Sequence, residues 1–185
     1  MERLLASNTA LLVVDVQEKL AAAMPTDALA ELEKNAAILL ETSALLGVTV
    51  IVSEQYPNGL GPTVKSIAAK LASRGVVPMP KMCFDACSEL AISRALTLAG
   101  ARNVVVIGME AHVCVFQTAR ELVKRGYRAH VVADAVTSRR EENRRIGLSL
   151  CERAGAIVTA TETVAFDLLE RAGTVDFKAV SKLVR

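Results

Sequence analysis

The sequence predicts an α/β fold of three layers, with helices on both faces of a six-stranded parallel sheet. Short apolar runs alternate with longer segments of helical periodicity along the chain, which is typical of βα units in a parallel sheet. Hydrophobic residues make up 52% of the sequence and aromatic residues only 3%. The core must therefore consist of Ala, Val, Leu and Ile, which suit a buried parallel sheet. The expected strand order is 3-2-1-4-5-6, a Rossmann-like topology.

The elements can be assigned in order along the chain. Strands are expected at residues 10–15, 48–53, 76–79, 103–107, 128–133 and 156–159. Helices are expected at residues 29–46, 63–73, 88–99, 113–126 and 141–154, and two short helices close the chain, the last at 176–183. Residues 56–62 are predicted to form a loop, because Gly and Pro interrupt both regular structures. Two prolines make the third strand short or irregular.

Length and charge limit the classes of protein to consider. The chain of 185 residues shows no repeat and no linker, so residues 1–185 are expected to form one domain, which can bury roughly 70% of its unfolded surface. The formal net charge of +2 argues against nucleic-acid binding. A basic cluster is interrupted by two glutamates and is interpreted as a solvated helix face. It comprises Arg139, Arg140, Arg144 and Arg145.

The sequence also predicts a cytoplasmic protein with no membrane partner. No secretory signal is recognised at the start, and apolar runs of about eight residues are far shorter than the ~18 that cross a bilayer. The four cysteines are expected to be reduced thiols. The turn after the first strand reads Asp15-Val-Gln-Glu-Lys. It lacks the Gly-x-Gly-x-x-Gly of dinucleotide sites, and no cofactor is expected.

Three residues lie at or just beyond the carboxyl ends of predicted strands one, three and four. The expected strand order reverses between strands one and four, and ligands bind at such a point, outside the carboxyl ends of the strands. Asp15 either caps a strand end or directs a carboxylate into the crevice. Lys81 is a surface lysine or the counter-ion of that carboxylate. Cys114 is either a buried structural residue or a nucleophile in the first turn of a helix, where the helix dipole and a nearby cation would lower the thiol pKa. Together they form a plausible site for activating a thiol.

These residues also carry a resemblance to a known family. Asp15-Val-Gln17, Lys81 after an apolar-Pro strand, and Gly108-x-x-x-x-x-Cys114-Val115 resemble the isochorismatase-like cysteine hydrolase superfamily. The resemblance extends from about Thr9 to Leu183. Glu110-Ala-His112 and Lys81-Met-Cys-Phe84 are most similar to its isochorismatase-domain-containing branch.

The resemblance implies a catalytic triad of Asp15, Lys81 and Cys114. It also implies a cis peptide between Met109 and Glu110, with the backbone N–H groups of Glu110 and Cys114 as an oxyanion hole. Gln17, His112 and Phe84 are weaker candidates for substrate contacts. Nicotinamidases of the superfamily often carry an Asp-x-His-x-His metal site after the second strand. Because this region has no histidine, no catalytic metal is expected.

The remaining polar and sulfur residues are given lesser roles. His112 lies only two residues before Cys114, where a direct approach as general base is awkward, so a substrate or interface contact is favoured. His130 is interpreted as structural. Cys83 and Cys87 are interpreted as packing residues, with metal, disulfide and redox roles as alternatives. Cys151 is expected to be buried in a helix.

The function that these observations predict is hydrolysis of a small amide through a Cys114 thioester. Asp15 would serve as general base and acid, and Lys81 as its electrostatic partner. Two alternatives stay open: a catalytically silent member that acts as a binding or scaffold protein, and a redox-sensing thiol protein. Ala-rich helices and apolar loops suggest a homo-oligomer, a dimer or tetramer, with a small-molecule substrate as the other partner.

Overall fold

A computed structural model describes residues 2–184 and contains the predicted six-stranded sheet. All five strand pairs are parallel, and the strand order is β3-β2-β1-β4-β5-β6. The strands are β1 Thr9–Val14, β2 Thr49–Gln55, β3 Met79–Lys81, β4 Asn103–Met109, β5 Arg128–Thr137 and β6 Ile157–Thr159. The predicted α/β fold class and the order 3-2-1-4-5-6 are thus confirmed.

Nine α-helices are present within the described residues. They are α1 Glu18–Ala21, α2 Thr26–Leu46, α3 Pro57–Leu60, α4 Lys65–Ala72, α5 Leu90–Leu98, α6 Phe116–Lys124, α7 Glu141–Arg153, α8 Thr161–Leu169 and α9 Val175–Leu183. Short 3₁₀ turns occur at Ala6–Asn8 and Ala86–Ser88. The predicted loop at 56–62 therefore contains the single-turn helix α3, and α1 was not predicted because four residues are too few to show helical periodicity.

Two apolar layers, one on each face of the sheet, form the core. One layer packs α2, α4 and α8 against the sheet through residues such as Leu39, Ile67 and Leu168. The other packs α5, α6 and α7 through residues such as Leu96 and Leu122. Aliphatic side chains dominate both layers, as the composition predicts. Within residues 2–184, no helix combines the length and apolar character needed to cross a bilayer.

The third strand lies further along the chain than its apolar pattern predicts. The sequence favours residues 76–79, but β3 spans Met79–Lys81 and pairs with β2 through Met79 with Ser53 and Lys81 with Gln55. Pairing with β2 determines the strand, and because β3 is the edge strand it tolerates Pro80, which has no N–H to donate. The shift makes Lys81 the last residue of the strand.

Close approach of β1 and β4 depends on Gly108. Its φ of +120° is unfavourable for any residue with a side chain, and an added Cβ would lie 2.0 Å from the Val14 carbonyl oxygen. Val14 and Gly108 are register partners at the carboxyl ends of these central strands. The glycine therefore lets the ends of β1 and β4, which lead into Asp15 and Met109, lie side by side.

Candidate active site

Asp15 directly follows β1 and is completely buried. Its φ of 53° lies in the left-handed region that few non-glycine residues adopt. The Asp15 N–H donates to the Ser53 carbonyl over 3.1 Å, and the Ser53 hydroxyl donates to Asp15 Oδ1 over 2.7 Å. One carboxylate oxygen is thereby held by β2, which leaves Oδ2 for another partner.

That partner is Lys81, whose Nζ lies 2.8 Å from Asp15 Oδ2, with both side chains 0% exposed. The ammonium donates hydrogen bonds to Gln55 Oε1 over 2.6 Å and to the Cys83 and Phe84 carbonyls over 3.1 and 3.0 Å, whereas its contact with Asp15 Oδ2 is an ion pair without hydrogen-bond geometry. A buried charge requires a counter-charge and hydrogen bonds, and Lys81 has both. The structure therefore brings Asp15 and Lys81 together as a buried ion pair.

Cys114 lies in a π-helical turn, Ala111–Val115, that precedes α6. The predicted helix start near Val113 falls inside this turn, so the helical segment begins two residues earlier than predicted and becomes an α-helix only at Phe116. Cys114 is 5% exposed. The charges of Asp15 and Lys81 both act on the pKa of its thiol, so the structure gathers all three predicted residues at one place.

The thiol itself is in a different protonation state from the one that the sequence suggests. Burial, together with the charge of Asp15, raises the pKa of the Cys114 thiol to about 12, against the opposing effect of Lys81. The expectation of a lowered thiol pKa is thus wrong, because desolvation disfavours the thiolate. In addition, the sulfur belongs to a π-helical turn and not to the first turn of an α-helix. At neutral pH the resting residue is a thiol.

The peptide between Met109 and Glu110 is cis. Beyond it, the Glu110 carbonyl accepts hydrogen bonds from the N–H groups of Val113 and Val115, which closes the turn around Cys114. The Glu110 side chain points elsewhere: its Oε2 accepts from both the backbone N–H and the Nε of Arg139 over 3.1 Å. This ion pair ties the segment before the cysteine turn to the loop after β5.

The three weaker substrate candidates differ in their surroundings. Gln17 is fully buried, and its amide donates to the Gln55 and Gly61 carbonyls and accepts from the Gln55 N–H, so its polar atoms hold the backbone together. Phe84 is 53% exposed. The His112 ring lies 3.0 Å from the Ser138 hydroxyl and 3.5 Å from the Asn143 amide nitrogen.

His130, interpreted as structural, is buried in β5, and its Nε2 has no hydrogen-bond partner among the described residues. Burial lowers its pKa below 6.5, with Asp167 opposing and Arg128 adding to the shift. Because the unfolded chain binds this proton more readily, stability is fully present above about pH 6.5 and is lost as the pH falls from there toward the folded pKa.

We therefore expect the free energy of unfolding, measured in urea from pH 8 to 5, to fall more steeply below pH 6.5 in the natural chain than in His130→Gln. Carboxylates contribute equally to both curves and cancel in the difference. Equal slopes would show that His130 is protonated as easily in the folded state as in the unfolded one.

The other thiols are separate from this site. Cys87 and Cys151 are buried, as expected of packing residues, but Cys83 is exposed, so its assignment to packing is wrong. The loop after β3 turns its side chain outward. Among residues 2–184, no group of three or more His, Cys, Asp or Glu side chains is arranged to hold a metal ion.

Ser53 and Gln55 are site residues that the sequence reasoning missed. Both lie at the carboxyl end of β2, beside β1, and they contact Asp15 and Lys81 respectively. The rule that pointed to Asp15, namely a polar residue at the carboxyl end of a strand next to the switch point, applies equally to them.

Comparison with known proteins gives consistent results. The isochorismatase domain family matches residues 9–163. A zebrafish (Danio rerio) protein named isochorismatase domain-containing protein 2 is 36% identical over 98% of this chain and 89% of its own length. A Caenorhabditis elegans structure named MAR1 ribonuclease has a TM-score of 0.91 and 37% identity, over 99% of this chain and 92% of the other.

A more distant structure shares the fold. The YcaC gene product of Escherichia coli, described as an octameric hydrolase of unknown specificity, has a TM-score of 0.88 at 20% identity. The match covers 99% of this chain and 91% of the YcaC chain.

Proposed function

Since the chain belongs to the isochorismatase family of hydrolases, we propose that it is a cysteine hydrolase that cleaves the C–N bond of a small amide. One observation carries the proposal: a carboxylate, an ammonium and a thiol from three distant parts of the chain meet in a buried site. A thiol in such surroundings is suited to attack a carbonyl carbon.

The first half of the reaction forms a thioester. Because the pKa of the Cys114 thiol is raised to about 12, Asp15 removes the proton as sulfur attacks rather than beforehand. The C–S bond forms, and the carbonyl oxygen becomes an oxyanion that accepts hydrogen bonds from the Glu110 and Cys114 N–H groups. The C–N bond then breaks as Asp15 gives its proton to the leaving nitrogen, which departs as an amine or ammonia.

The second half regenerates the enzyme. Water attacks the thioester while Asp15 takes one of its protons. As the C–S bond breaks, Asp15 returns that proton to the departing sulfur, which releases a carboxylic acid and restores the Cys114 thiol and the Asp15 carboxylate. Lys81 keeps a positive charge beside Asp15 throughout. Its hydrogen bonds to Gln55, Cys83 and Phe84 hold the ammonium in place while the proton moves between the sulfur, Asp15 and the leaving nitrogen.

The proposal is tested by replacing the nucleophile. We expect Cys114→Ala to lower kcat/KM at least about a thousandfold for any amide found by library screening, since loss of a covalent nucleophile has effects of this size or larger. Mass spectrometry of the natural chain during turnover should show an acyl adduct on Cys114. Cys83→Ala, which alters an exposed thiol, is the matched control and should keep its activity. An unimpaired Cys114→Ala variant would rule out the mechanism.

A second candidate, cleavage of RNA, is favoured by the name of the C. elegans relative at 37% identity. The formal net charge of +2 offers little attraction for a polyanion. A quenched fluorescent RNA separates the candidates: RNA cleavage that purifies with the chain and persists in Cys114→Ala would favour the ribonuclease, whereas amide cleavage lost in that variant favours the hydrolase.

Self-association and a cytoplasmic location also belong to the proposal. The octameric YcaC product is in keeping with a homo-oligomer, and light scattering gives the mass. A Phytophthora sojae relative, 35% identical, is named a secreted effector, so cell fractionation is needed to test the location.

A further inference from the structure

The surroundings of Lys81 contain more hydrogen-bond acceptors than the ammonium can satisfy. An ammonium has three N–H groups, yet four oxygen atoms, from Asp15, Gln55, Cys83 and Phe84, lie within 3.1 Å of Nζ. Lys81 therefore has no N–H to spare for a substrate. It acts instead as a fixed positive charge, and its neighbours determine which groups that charge stabilises.

Of the three neutral acceptors, Gln55 makes the shortest contact, 2.6 Å, and the only one from a side chain. It is 8% exposed and is the register partner of Lys81 in the β2–β3 pair. The two backbone carbonyls cannot be changed by substitution, but the Gln55 side chain can. An acceptor with a negative charge at this position would compete with Asp15 for Lys81.

The orientation of the Gln55 amide is determined by its other contacts. Its Nε2 donates to the Met82 carbonyl over 2.9 Å, so Oε1 must face the ammonium. The reverse orientation would set two donors against each other. The Gln55 N–H donates to Gln17 Oε1 over 2.7 Å, and its carbonyl accepts from Gln17 Nε2 over 3.0 Å. Gln17 thus holds the backbone from which Gln55 reaches Lys81.

We propose that Gln55 is a positioning residue, which binds Lys81 without adding charge and so directs the lysine's positive charge toward Asp15 and Cys114. This inference deepens the proposed function and rests on it for its catalytic meaning. Gln17, predicted as a substrate contact, then has a supporting role one step removed, in holding the Gln55 backbone.

The test uses Cys114 reactivity, which requires no turnover. Gln55→Glu keeps the shape and the acceptor but places a second carboxylate on Lys81, whereas Gln55→Met removes the acceptor and adds no charge. An added negative charge within about 4–6 Å shifts an acid's pKa upward by roughly one to three units. We therefore expect the iodoacetamide alkylation rate of Cys114 at pH 7.5 to fall about 10- to 1,000-fold in Gln55→Glu.

In Gln55→Met, Lys81 loses an acceptor but gains no competing charge, so we expect a smaller fall of about threefold, or half a pKa unit. Peptide mass spectrometry measures the rate at Cys114, with the exposed Cys83 as internal reference. Asn58→Asp, which adds the same charge at an exposed position three residues away, is the control and should leave the rate unchanged.

A role in packing alone predicts the opposite order, with the isosteric Glu better tolerated than Met, and that order would overturn the proposal. If Gln55→Glu does not fold, Asp15→Asn/Gln55→Glu again gives Lys81 one carboxylate and should recover a melting temperature near that of Asp15→Asn. Failure to recover would contradict the charge argument. Because alkylation is independent of hydrolysis, an inactive hydrolase assay does not affect either outcome.

Discussion

Lys81→Met is expected to lower the free energy of unfolding by about 3–5 kcal/mol, because it leaves a buried carboxylate without its counter-charge. Asp15 and Lys81 are both 0% exposed at the side chain and lie 2.8 Å apart. The Ser53 hydroxyl would still donate to Asp15 Oδ1, but a neutral donor does not compensate a buried negative charge. Urea unfolding monitored by circular dichroism measures the loss, and hydrolysis should be abolished in the same variant.

The double variant Asp15→Asn/Lys81→Met separates stability from catalysis. It removes both charges with side chains of similar size, and replacing a whole buried ion pair with neutral groups is often close to neutral for stability. We expect most of the stability lost in Lys81→Met to return, while hydrolysis stays absent for want of a base. A double variant as unstable as the single one would show that packing, not charge, dominates here.

A half-exposed ion pair supplies the control for this prediction. Lys70 and Glu41 lie 2.6 Å apart, with side chains 35% and 44% exposed. Lys70→Met should cost less than about 1 kcal/mol, as is usual for pairs in contact with solvent. If Lys81→Met is no more destabilising than Lys70→Met, water reaches Asp15 and the ion pair is not buried in solution.

Gly147→Ala is expected to lower kcat about 100-fold while the chain stays folded. Gly147 lies in α7, where the helix meets the backbone of the turn that carries Cys114. A Cβ there would lie 2.5 Å from the Ala111 carbonyl carbon and 2.6 Å from the His112 nitrogen. Both are backbone atoms, so the turn itself must move, and a displacement of about 1 Å in a catalytic group can reduce rate 100-fold.

The expected pattern distinguishes this effect from general destabilisation. Alanine favours the helix over glycine by about 1 kcal/mol, which offsets part of the strain in α7, so the melting temperature should change less than the activity. Ser149→Ala, on the exposed side of the same helix, is the control and should leave kcat unchanged. Full activity in Gly147→Ala would mean that the turn can shift without displacing the Cys114 sulfur.

The local sequence pattern was sufficient to predict most of the fold, but it misplaced the boundaries of some strands and helices. The alternation of apolar runs with helical periodicity predicts six parallel strands in the order observed. The third strand is misplaced by three residues at its start, because an edge strand containing Pro80 is defined by its pairing with β2 and not by its own apolarity. The π-helical turn before α6 was likewise missed, since its residues have the same periodicity as the helix they precede.

The candidate site likewise contains residues that the sequence could select and residues whose roles only the structure reveals. Asp15, Lys81 and Cys114 can be selected from the sequence because each lies at or just beyond the carboxyl end of a predicted strand, the side of the sheet where ligands bind. Gln55 and Gly147 could not be assigned their roles, because the first depends on the register of β2 with β3 and the second on how closely α7 approaches a turn. A local sequence pattern reveals neither the register of two paired strands nor how closely a helix approaches a turn.

Hydrophobic periodicity and the positions of a few polar residues were therefore enough to predict the architecture and to select Asp15, Lys81 and Cys114 as candidates, since both rest on patterns along the chain. The protonation state of Cys114 depended on the three-dimensional arrangement. Burial and the charge of Asp15 raise the thiol pKa to about 12, where a helix start and a lysine suggested the reverse. Desolvation depends on every atom that excludes water from the sulfur, and those atoms come from elements far apart in the sequence.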